Sequence, residues 1–318
     1  MSGERVEGAT HTVEVAAPAG VVFAVLADAT KLPLYFSPYV HAERLHFDGA
    51  TERLRLWTLV DGQLRSWTSR RHLDAVRRRI DFRQEPPAAP LTSMSGTLQV
   101  TEHGPRRTEL QLRYHYGVDA ARPADRAWAE RAAHDTSRTQ LAELKSYAER
   151  WNRLDDLVLS FEEAVRVHGP AELVYDFLYR AGDWPDLVPH VTRADLREDT
   201  PGVQHMTVET LTEYGCHSTD SVRICFPHAG RIVHKQTVPH VLLEAHTGEW
   251  SVVPDERGVT VLAQHSVVLR EDGPAAAALG HHADLARTRR HVREELGRDS
   301  RALLAHAKRH AESAVRML

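Results

Sequence analysis

The sequence predicts an α+β protein made of two copies of one domain, and three observations support this. A chain of 318 residues suits two domains of ordinary size better than one. Residues 15–19 and the hydrophobic run after them return 152 residues later at residues 167–171. Each half also contains several segments typical of strands and ends in a long segment with helical periodicity. In each half, an antiparallel sheet packed against one long helix accounts for these features.

Both halves open with the same short elements. A strand is expected at residues 11–16 and again at residues 161–168. Pro18 and Pro170 follow at the first turn of a short amphipathic helix, where the missing N–H of proline costs no hydrogen bond. A second helix or turn opened by proline is expected at residues 32–36 and 184–188.

Further strand segments follow in each half, separated by turn signals rich in Gly and Pro. In the first half they cover residues 53–60, 62–73, 79–84, 91–101 and 108–118. In the second half they cover residues 203–212, 216–225, 231–238, 241–252 and 259–270. The long helical patterns cover residues 123–151 and 274–317.

We therefore expect in each half a mostly antiparallel sheet of about seven strands that curls around its long C-terminal helix. Such an arrangement encloses a deep cavity between the sheet and the helix. The boundary between the copies is expected within residues 151–157, where the helical pattern gives way to a new strand. This divides the chain into domains of residues 1–153 and 154–318.

Composition argues against several classes of protein. A net charge of −4 is unlike that of a duplex nucleic-acid binder, which is usually strongly basic. No apolar run approaches the about 18 residues that cross a bilayer, and no secretory signal is recognised at the N-terminus. Cys216 and Cys225 predict neither a disulfide framework nor a cysteine-based zinc site, so a reducing cytoplasm is expected. His281 and His282 lack a third ligand, so no metal site is expected.

The predicted strand at residues 62–73 has an unusual polar face. Because side chains alternate between the faces of a strand, Trp67, Ser69 and Arg71 lie on the same side. An aromatic ring, a hydroxyl and a fixed cation suit the wall of a pocket better than a core. The pattern returns 152 residues later as Thr219, Ser221 and Arg223. Serine and arginine are therefore repeated, whereas the aromatic residue is not.

The proline-opened helices, the Trp-x-Ser-x-Arg strand and the long terminal helix resemble the helix-grip superfamily, also called START or Bet v 1-like. More narrowly, the tandem arrangement, the chain length and the run of residues 66–71 resemble the di-domain aromatase/cyclases of bacterial type II polyketide synthases. This resemblance covers nearly the whole chain.

The resemblance implies an enzyme of aromatic, antibiotic-type polyketide biosynthesis. Such enzymes bind a poly-β-ketone that an acyl carrier protein holds on its phosphopantetheine arm. They promote the aldol closure of the first ring and the loss of water that makes the ring aromatic. Di-domain members are associated with chains in which one ketone is already reduced. The expected partners are therefore the carrier protein and the polyketide, with no nucleic acid, no membrane and no cofactor.

Five residues are expected to take part in catalysis. An aldol closure needs stabilisation of an enolate or alkoxide oxygen, and a buried guanidinium suits this task because it stays charged and donates in a planar fork. Arg71 is the first choice for this role and Arg223 is its counterpart. Ser69 and Ser221 are placed to hydrogen-bond a neighbouring carbonyl. Tyr39 matches a pocket tyrosine of the family.

Seven further positions are expected to contact the substrate. Residues 114–116 and 264–266 align on the last strand at an offset of 150, and Gln264 matches a pocket glutamine of single-domain relatives. Val191, next to His190, takes the place of Tyr39 in the second half. The set comprises Trp57, Trp67, Tyr114, His115, His190, Gln264 and His265. Neither half carries the full set of polar pocket residues that the resemblance implies. Ring closure is expected in the N-terminal half.

Alternatives remain open at this point. Arg71 also suits a structural ion pair at a sheet edge, and strand histidines such as His115 and His265 are often structural. The run of residues 77–79, all arginine, suits either a solvated turn or a basic rim for the carrier protein. The chain as a whole also fits a non-catalytic carrier of an apolar small molecule. In a third hypothesis, one half is catalytic and the other shields the site or docks the partner.

Overall fold

The chain forms two compact units, Met1–Leu154 and Asp155–Leu318. The structure is a computed structural model that describes residues 4–212, 215–271 and 284–316. Each unit contains its own seven-stranded sheet, in which all neighbouring strands are antiparallel.

The N-terminal unit consists of seven strands and three helices. Its strands are β1 (Glu4–Val15), β2 (Tyr39–Phe47), β3 (Thr51–Val60), β4 (Gln63–Asp74), β5 (Arg79–Gln84), β6 (Leu91–Gly104) and β7 (Arg107–Asp119). Its helices are α1 (Ala19–Ala27), α2 (Leu32–Tyr35) and α3 (Pro123–Glu149). The one-turn helix α4 (Leu154–Leu157) follows in the chain.

Strand order explains where the helices lie. The order across the sheet is β1-β7-β6-β5-β4-β3-β2, so β1 and β2 are the two edges. Strands β2 to β7 pair as successive hairpins, and β1 pairs with β7. The chain must therefore cross from one edge to the other between β1 and β2, and α1 and α2 make this crossing. The long helix α3 packs against β1, β7 and α1.

The C-terminal unit repeats this arrangement. Its strands are β8 (Val158–Val167), β9 (Val191–Thr200), β10 (Val203–Thr212), β11 (Gly215–Phe226), β12 (Arg231–Val238), β13 (Leu243–Asp255) and β14 (Gly258–Leu269). Its helices are α5 (Ala171–Tyr179), α6 (Trp184–Leu187) and α7 (Leu285–Arg316). The strand order β8-β14-β13-β12-β11-β10-β9 matches that of the first unit.

Proline residues mark the helix starts as the sequence indicates. Pro18 and Pro170 occupy the N-cap positions of α1 and α5, one residue before the first helical turn, in extended conformation. Pro33 and Pro185 lie within the first turns of α2 and α6, where a missing N–H costs no intrahelical bond.

The predicted architecture of two antiparallel sheets, each with a long C-terminal helix, is confirmed. The sequence analysis did not locate strands β2 and β9. Both are edge strands with many charged and exposed side chains, so they lack the alternation of a half-buried strand. The expected start of the last helix at Pro274, and the pair His281 and His282, lie outside the described residues.

Among the helices that the structure describes, none is long and apolar enough to cross a membrane.

Gly230 offers a test of the turn that leads into β12. Its φ is +61°, and a Cβ at this position would lie 2.6 Å from the carbonyl oxygen of Val252. We expect Gly230→Ala to lower the free energy of unfolding by about 2 kcal/mol, because an L side chain is strained in this conformation.

Gly20 provides the matched control, because it lies in α1 with open space where a Cβ would stand. Gly20→Ala should raise the free energy of unfolding by roughly 0.5 kcal/mol. Urea denaturation followed by circular dichroism measures both variants. A Gly230→Ala protein as stable as the wild type would contradict the expected strain.

Candidate active site

The N-terminal unit contains a cavity of about 220 Å³ between α3 and the inner face of its sheet. Most of its wall is apolar and comes from strands β3 to β7 and from α3. Representative apolar lining residues are Leu56, Val60, Phe82, Leu98, Leu112 and Leu144. Polar side chains are fewer and include Tyr39, Ser69, Arg71, Ser137 and Gln140. Such a cavity suits a mainly apolar molecule that must be oriented by a few polar contacts.

Strand β4 supplies the centre of this polar set. The alternation of its side chains directs Trp67, Ser69 and Arg71 to the cavity, as the sequence predicts. Ser69 is 4% exposed and Arg71 is 6% exposed, whereas Arg70 on the other face is exposed. The three predicted wall residues of this strand therefore do lie together.

The Arg71 guanidinium is fixed by two contacts. Its Nη2 donates to the carbonyl oxygen of Leu26, in the last turn of α1, at 2.6 Å. Its Nε lies 3.3 Å from Oε1 of Glu52, which is fully buried on β3. The other carboxylate oxygen of Glu52 accepts from Arg44 Nε at 3.0 Å. Burial lowers the pKa of Arg71, and the charge of Glu52 opposes this shift.

These contacts give Arg71 a structural task as well as a place at the cavity. The ion pair that the alternative interpretation expected exists, but it lies inside the unit rather than at a sheet edge, because β4 is a central strand. A cation near the carbonyl end of a helix is also favoured by the helix dipole. Arg71 therefore ties α1 to the sheet.

Tyr39 begins β2 and faces the cavity from the edge of the sheet. It forms a side-chain hydrogen bond with Gln140 of α3. Burial raises the pKa of Tyr39, against the charge of Arg71, so its phenol remains protonated at neutral pH. Tyr114 on β7 also lines the cavity, and burial raises its pKa as well. Its hydroxyl lies 3.3 Å from His11 Nε2.

The cavity reaches the surface near the β3–β4 turn and the N-terminal part of α3. Trp128 Nε1 donates to Asp61 in that turn at 2.7 Å. The Arg65 guanidinium lies over the Trp128 ring, 4.8 Å from its centroid. Ala89, which accepts a hydrogen bond from Arg65, is exposed. Arg65, Ala89 and Trp128 line the end of the cavity that is open to solvent.

Arg223 makes the equivalent helix contact in the C-terminal unit. Its Nη2 donates to the carbonyl oxygen of Leu178, in the last turn of α5. The guanidinium lies over Trp184 and Trp250, 5.5 Å and 5.4 Å from the ring centroids, and the residue is fully buried. Burial lowers the pKa of Arg223 to about 10, so it stays charged at neutral pH. Ser221, 7% exposed, lies two residues before it on β11.

Larger side chains stand at two equivalent positions in the C-terminal unit. Where the first unit has Leu32 and Leu98, the second has Trp184 and Trp250, which belong to its hydrophobic core. The residue that corresponds to Glu52 is Gln204, which donates to Glu198 at 2.8 Å. The arginine is therefore repeated, whereas its carboxylate partner and the smaller side chains around it are not.

Strand pairing corrects the alignment on the last strand by one residue. Tyr114 pairs with Ala9 and Gly96, while His265 pairs with Phe161 and Gly248. The equivalent of Tyr114 is therefore His265, and not Gln264, because β6 has a bulge with one extra residue between Glu102 and Gly104, which the end of β13 lacks. A shift of one residue exchanges the two faces of a strand.

The structure does not bring five of the seven expected substrate contacts into the N-terminal cavity. Trp57 is buried on the outer face of β3, next to His41, while its neighbour Thr58 lines the cavity. His115 and Gln264 are exposed on the outer faces of β7 and β14. His190 is half-buried in the turn before β9. His265 faces inward in the C-terminal unit, where it contacts His246 and Ser300.

Several polar residues of the N-terminal site are not predicted from the sequence, and Gln140 and Glu52 are the two with the most direct contacts to predicted site residues. Gln140 lies on α3, where nothing in the helical pattern separates it from other polar residues. Glu52 had a recognisable signal, because it shares the inner face of β3 with Leu54, Leu56 and Thr58. A carboxylate in line with apolar residues indicates a buried partner of opposite charge.

Comparisons with known proteins identify the family. A family model described as polyketide cyclase/dehydrase and lipid transport matches residues 8–149. The granaticin polyketide synthase bifunctional cyclase/dehydratase of Streptomyces violaceoruber is 37% identical over 318 residues, with 99% of this chain and 97% of the relative covered. This chain belongs to the family of polyketide cyclase/dehydratases.

Other relatives of this polyketide cyclase/dehydratase agree. The actinorhodin polyketide synthase bifunctional cyclase/dehydratase of Streptomyces coelicolor is 37% identical, with 93% of this chain and 94% of the relative covered. The crystal structure of the di-domain aromatase/cyclase BexL from the BE-7585A biosynthetic pathway is 39% identical, with a TM-score of 0.84. That comparison covers 96% of this chain and 99% of BexL. StfQ from the steffimycin pathway is 31% identical, with a TM-score of 0.83 and the same coverage.

The predicted family and the tandem helix-grip fold are thereby confirmed. The expectation of a cyclase/dehydratase enzyme of aromatic polyketide biosynthesis is also confirmed. The roles of individual residues remain predictions.

The buried ion pair of the cyclase/dehydratase leads to a stability prediction. Glu52→Ala leaves the Arg71 charge buried beside an apolar side chain, so we expect the free energy of unfolding to fall by about 3 kcal/mol. The control is Glu14→Ala, which removes the exposed pair with Arg107 and should change stability by less than about 1 kcal/mol. Chemical denaturation measures both variants, and equal effects would contradict a special role for the Glu52 pair.

Proposed function

We propose that the N-terminal cavity is the site where a carrier-tethered, ketoreduced poly-β-ketone closes its first ring and loses water. The observation that carries this proposal is the combination of an apolar cavity with a buried, positioned guanidinium and a protonated phenol. The apolar wall suits a folded polyketide chain, and the polar groups suit its carbonyl oxygens.

Ring closure makes a carbon–carbon bond between two parts of one chain. A carbon next to one carbonyl loses a proton, attacks a second carbonyl, and the resulting alkoxide takes up a proton. Arg71 is proposed to stabilise the oxygen charge through Nη1, because its two fixed contacts use Nε and Nη2. A donor held in place before the reaction needs no reorganisation when charge develops.

Dehydration then removes the new hydroxyl together with a neighbouring proton. Tyr39 is proposed to donate a proton to the leaving hydroxyl, because burial keeps its phenol protonated. Ser69, two residues before Arg71 on the same face, is proposed to hydrogen-bond a neighbouring carbonyl. Trp67 and the apolar wall restrict the folded conformations of the chain, which lowers the entropic cost of bringing two distant carbons together.

The open end of the cavity is proposed to receive the phosphopantetheine arm of an acyl carrier protein. Arg65 lies at this end and offers a cation to the phosphate of the arm. The run of residues 77–79 is a weaker candidate for a basic rim, because each arginine pairs with a carboxylate: Arg77 with Asp74, Arg78 with Glu102 and Arg79 with Asp81. We place the reaction in the reducing cytoplasm, consistent with the absence of a disulfide between Cys216 and Cys225.

The C-terminal unit is proposed not to close the ring. Trp184, Trp250 and His234 occupy the positions that Leu32, Leu98 and Phe82 hold around the N-terminal cavity. A carrier without chemistry would need Arg71 only to hold α1, whereas this cavity also presents the protonated phenol of Tyr39 and the buried hydroxyl of Ser69 to its ligand. A catalytic N-terminal unit is therefore favoured over a pure binding protein.

Reconstitution tests the proposed activity. The full chain is combined with a minimal polyketide synthase and a ketoreductase, and the products are analysed by mass spectrometry. We expect the protein to direct the tethered chain away from shunt products and towards compounds with an aromatic first ring. Unchanged products in its presence would refute the proposed reaction.

Matched serine variants test which unit is catalytic. Ser69→Ala and Ser221→Ala remove one hydroxyl each from equivalent positions of the two strands, with little loss of packing. We expect Ser69→Ala to increase the share of shunt products severalfold and Ser221→Ala to leave the product ratio unchanged. The reverse pattern would move the reaction to the C-terminal unit.

Tyr39→Phe tests the proton donor. This variant keeps the ring but loses the hydroxyl, so we expect the yield of dehydrated product to fall by about tenfold or more. Undehydrated, ring-closed compounds should accumulate in its place. Wild-type yields from a correctly folded Tyr39→Phe protein would remove Tyr39 from the mechanism.

A further inference from the structure

Three histidines converge in the interior of the C-terminal unit. His234 lies on β12, His246 on β13 and His265 on β14, and each is at most 7% exposed. One ring nitrogen from each lies within 4.8 Å of one from each of the others, and His246 Nε2 is 3.0 Å from His265 Nδ1. We propose that these three histidines form a binding site for a divalent transition metal ion of the zinc class.

The geometry is close to that of a tri-histidine centre. With zinc–nitrogen distances of about 2.0–2.1 Å and tetrahedral angles, two ligand nitrogens lie about 3.4 Å apart. The nitrogens of His246 and His265 already approach this separation. A modest inward rotation of His234 completes three corners of the tetrahedron. A water molecule is the fourth ligand, because imidazole donors with one open position suit zinc.

Neighbouring residues hold the rings in place. Trp250 stacks on His234 with ring centroids 4.5 Å apart, and Phe161 stacks on His265 at 5.0 Å. His265 Nε2 lies 2.7 Å from Ser300 Oγ on α7, so His265 can direct Nδ1 to the metal while Nε2–H donates to the serine. An outer hydrogen bond of this kind fixes the orientation of a metal-binding imidazole.

One unsatisfied polar atom also points to a ligand. Nδ1 of His234 is buried and makes no hydrogen bond to any residue that the structure describes. Gly248 lies between His234 and His265 across the sheet, and a Cβ there would overlap the His234 ring. The absence of a side chain at this position gives the three imidazoles their shared space.

The charged surroundings set a limit on affinity. Arg223 and Arg293 act on the cluster with positive charge, and Arg293 pairs with Glu163 at 2.6 Å. Repulsion from these two cations should weaken the binding of a divalent metal ion. The three ligands come from separate strands and show no metal-binding spacing, which is why the sequence predicts no metal site.

The N-terminal unit supplies the matched substitutions. Its residues at the same three positions are Phe82, Met94 and Tyr114, all of which line the cavity. The variants His234→Phe, His246→Met and His265→Tyr therefore introduce side chains that this fold accepts there. His228→Ala, at an exposed position on a turn, controls for adventitious binding by one of the many other histidines.

The experiment uses the full chain without an affinity tag. The protein is produced with zinc supplementation, desalted and assayed for bound metal, and the chelator-treated protein is then titrated with Co²⁺ and Zn²⁺. We expect one metal ion per chain, visible absorption bands of four-coordinate cobalt, and a higher melting temperature with zinc. Ser300→Ala should weaken zinc binding about tenfold, because it removes the outer hydrogen bond and keeps all three ligands.

His246→Met should abolish the cobalt spectrum and the stabilisation by zinc, whereas His228→Ala should retain both. A wild-type chain that binds no metal in any of these assays would overturn the proposal. So would a folded His246→Met protein with the cobalt spectrum and zinc stoichiometry of the wild type.

Discussion

The contact between a buried arginine and the end of a short helix is the constraint on which each unit depends. Arg71 and Arg223 reach from a central strand to the carbonyl oxygens of Leu26 and Leu178. Apolar packing also joins the sheet to the crossing helix but has no direction, and in the C-terminal unit Gln204 adds a hydrogen bond of 3.3 Å to the carbonyl oxygen of Tyr179. A charged hydrogen bond to a helix end fixes the position of the helix, and the helix in turn forms part of the cavity wall. In the N-terminal unit, Arg71 therefore contributes both to stability and to the proposed chemistry.

Much of this organisation could be predicted from the sequence. The repeat, the proline-opened helices and the alternation in β4 placed Trp67, Ser69 and Arg71 together on one wall, where the structure has them. The edge strands β2 and β9 could not be located, because charged edges lack a periodic hydrophobic signal. The pairing of Tyr114 with Gln264 failed for a different reason. One extra residue in a bulge near the end of β6 changes the offset between the copies, and only the strand register reveals it.

The two units share one fold but differ in the residues around the buried arginine. The N-terminal unit pairs Arg71 with Glu52 and keeps open space beside the pair. The C-terminal unit keeps its arginine, replaces the carboxylate by Gln204 and packs the guanidinium against two tryptophan rings. In either unit, loss of the arginine would remove the hydrogen-bond donor to a carbonyl oxygen at the end of the crossing helix. The presence of this arginine in a related sequence is therefore a poor indication of catalysis, whereas the size of the residues around it is informative.

Gly96 and Gly248 stand at equivalent places on β6 and β13. Because each lacks a side chain, it leaves a notch that a planar ring from the neighbouring strand can occupy. Phe82 occupies this notch in one unit and His234 in the other. The two rings are of similar thickness, so the backbone needs no change when one replaces the other. In a duplicated domain, an apolar ring such as Phe82 can thus be replaced by a metal-binding imidazole such as His234 through a single substitution. The glycine therefore allows the chemistry of the interior to change while the backbone of the sheet stays the same.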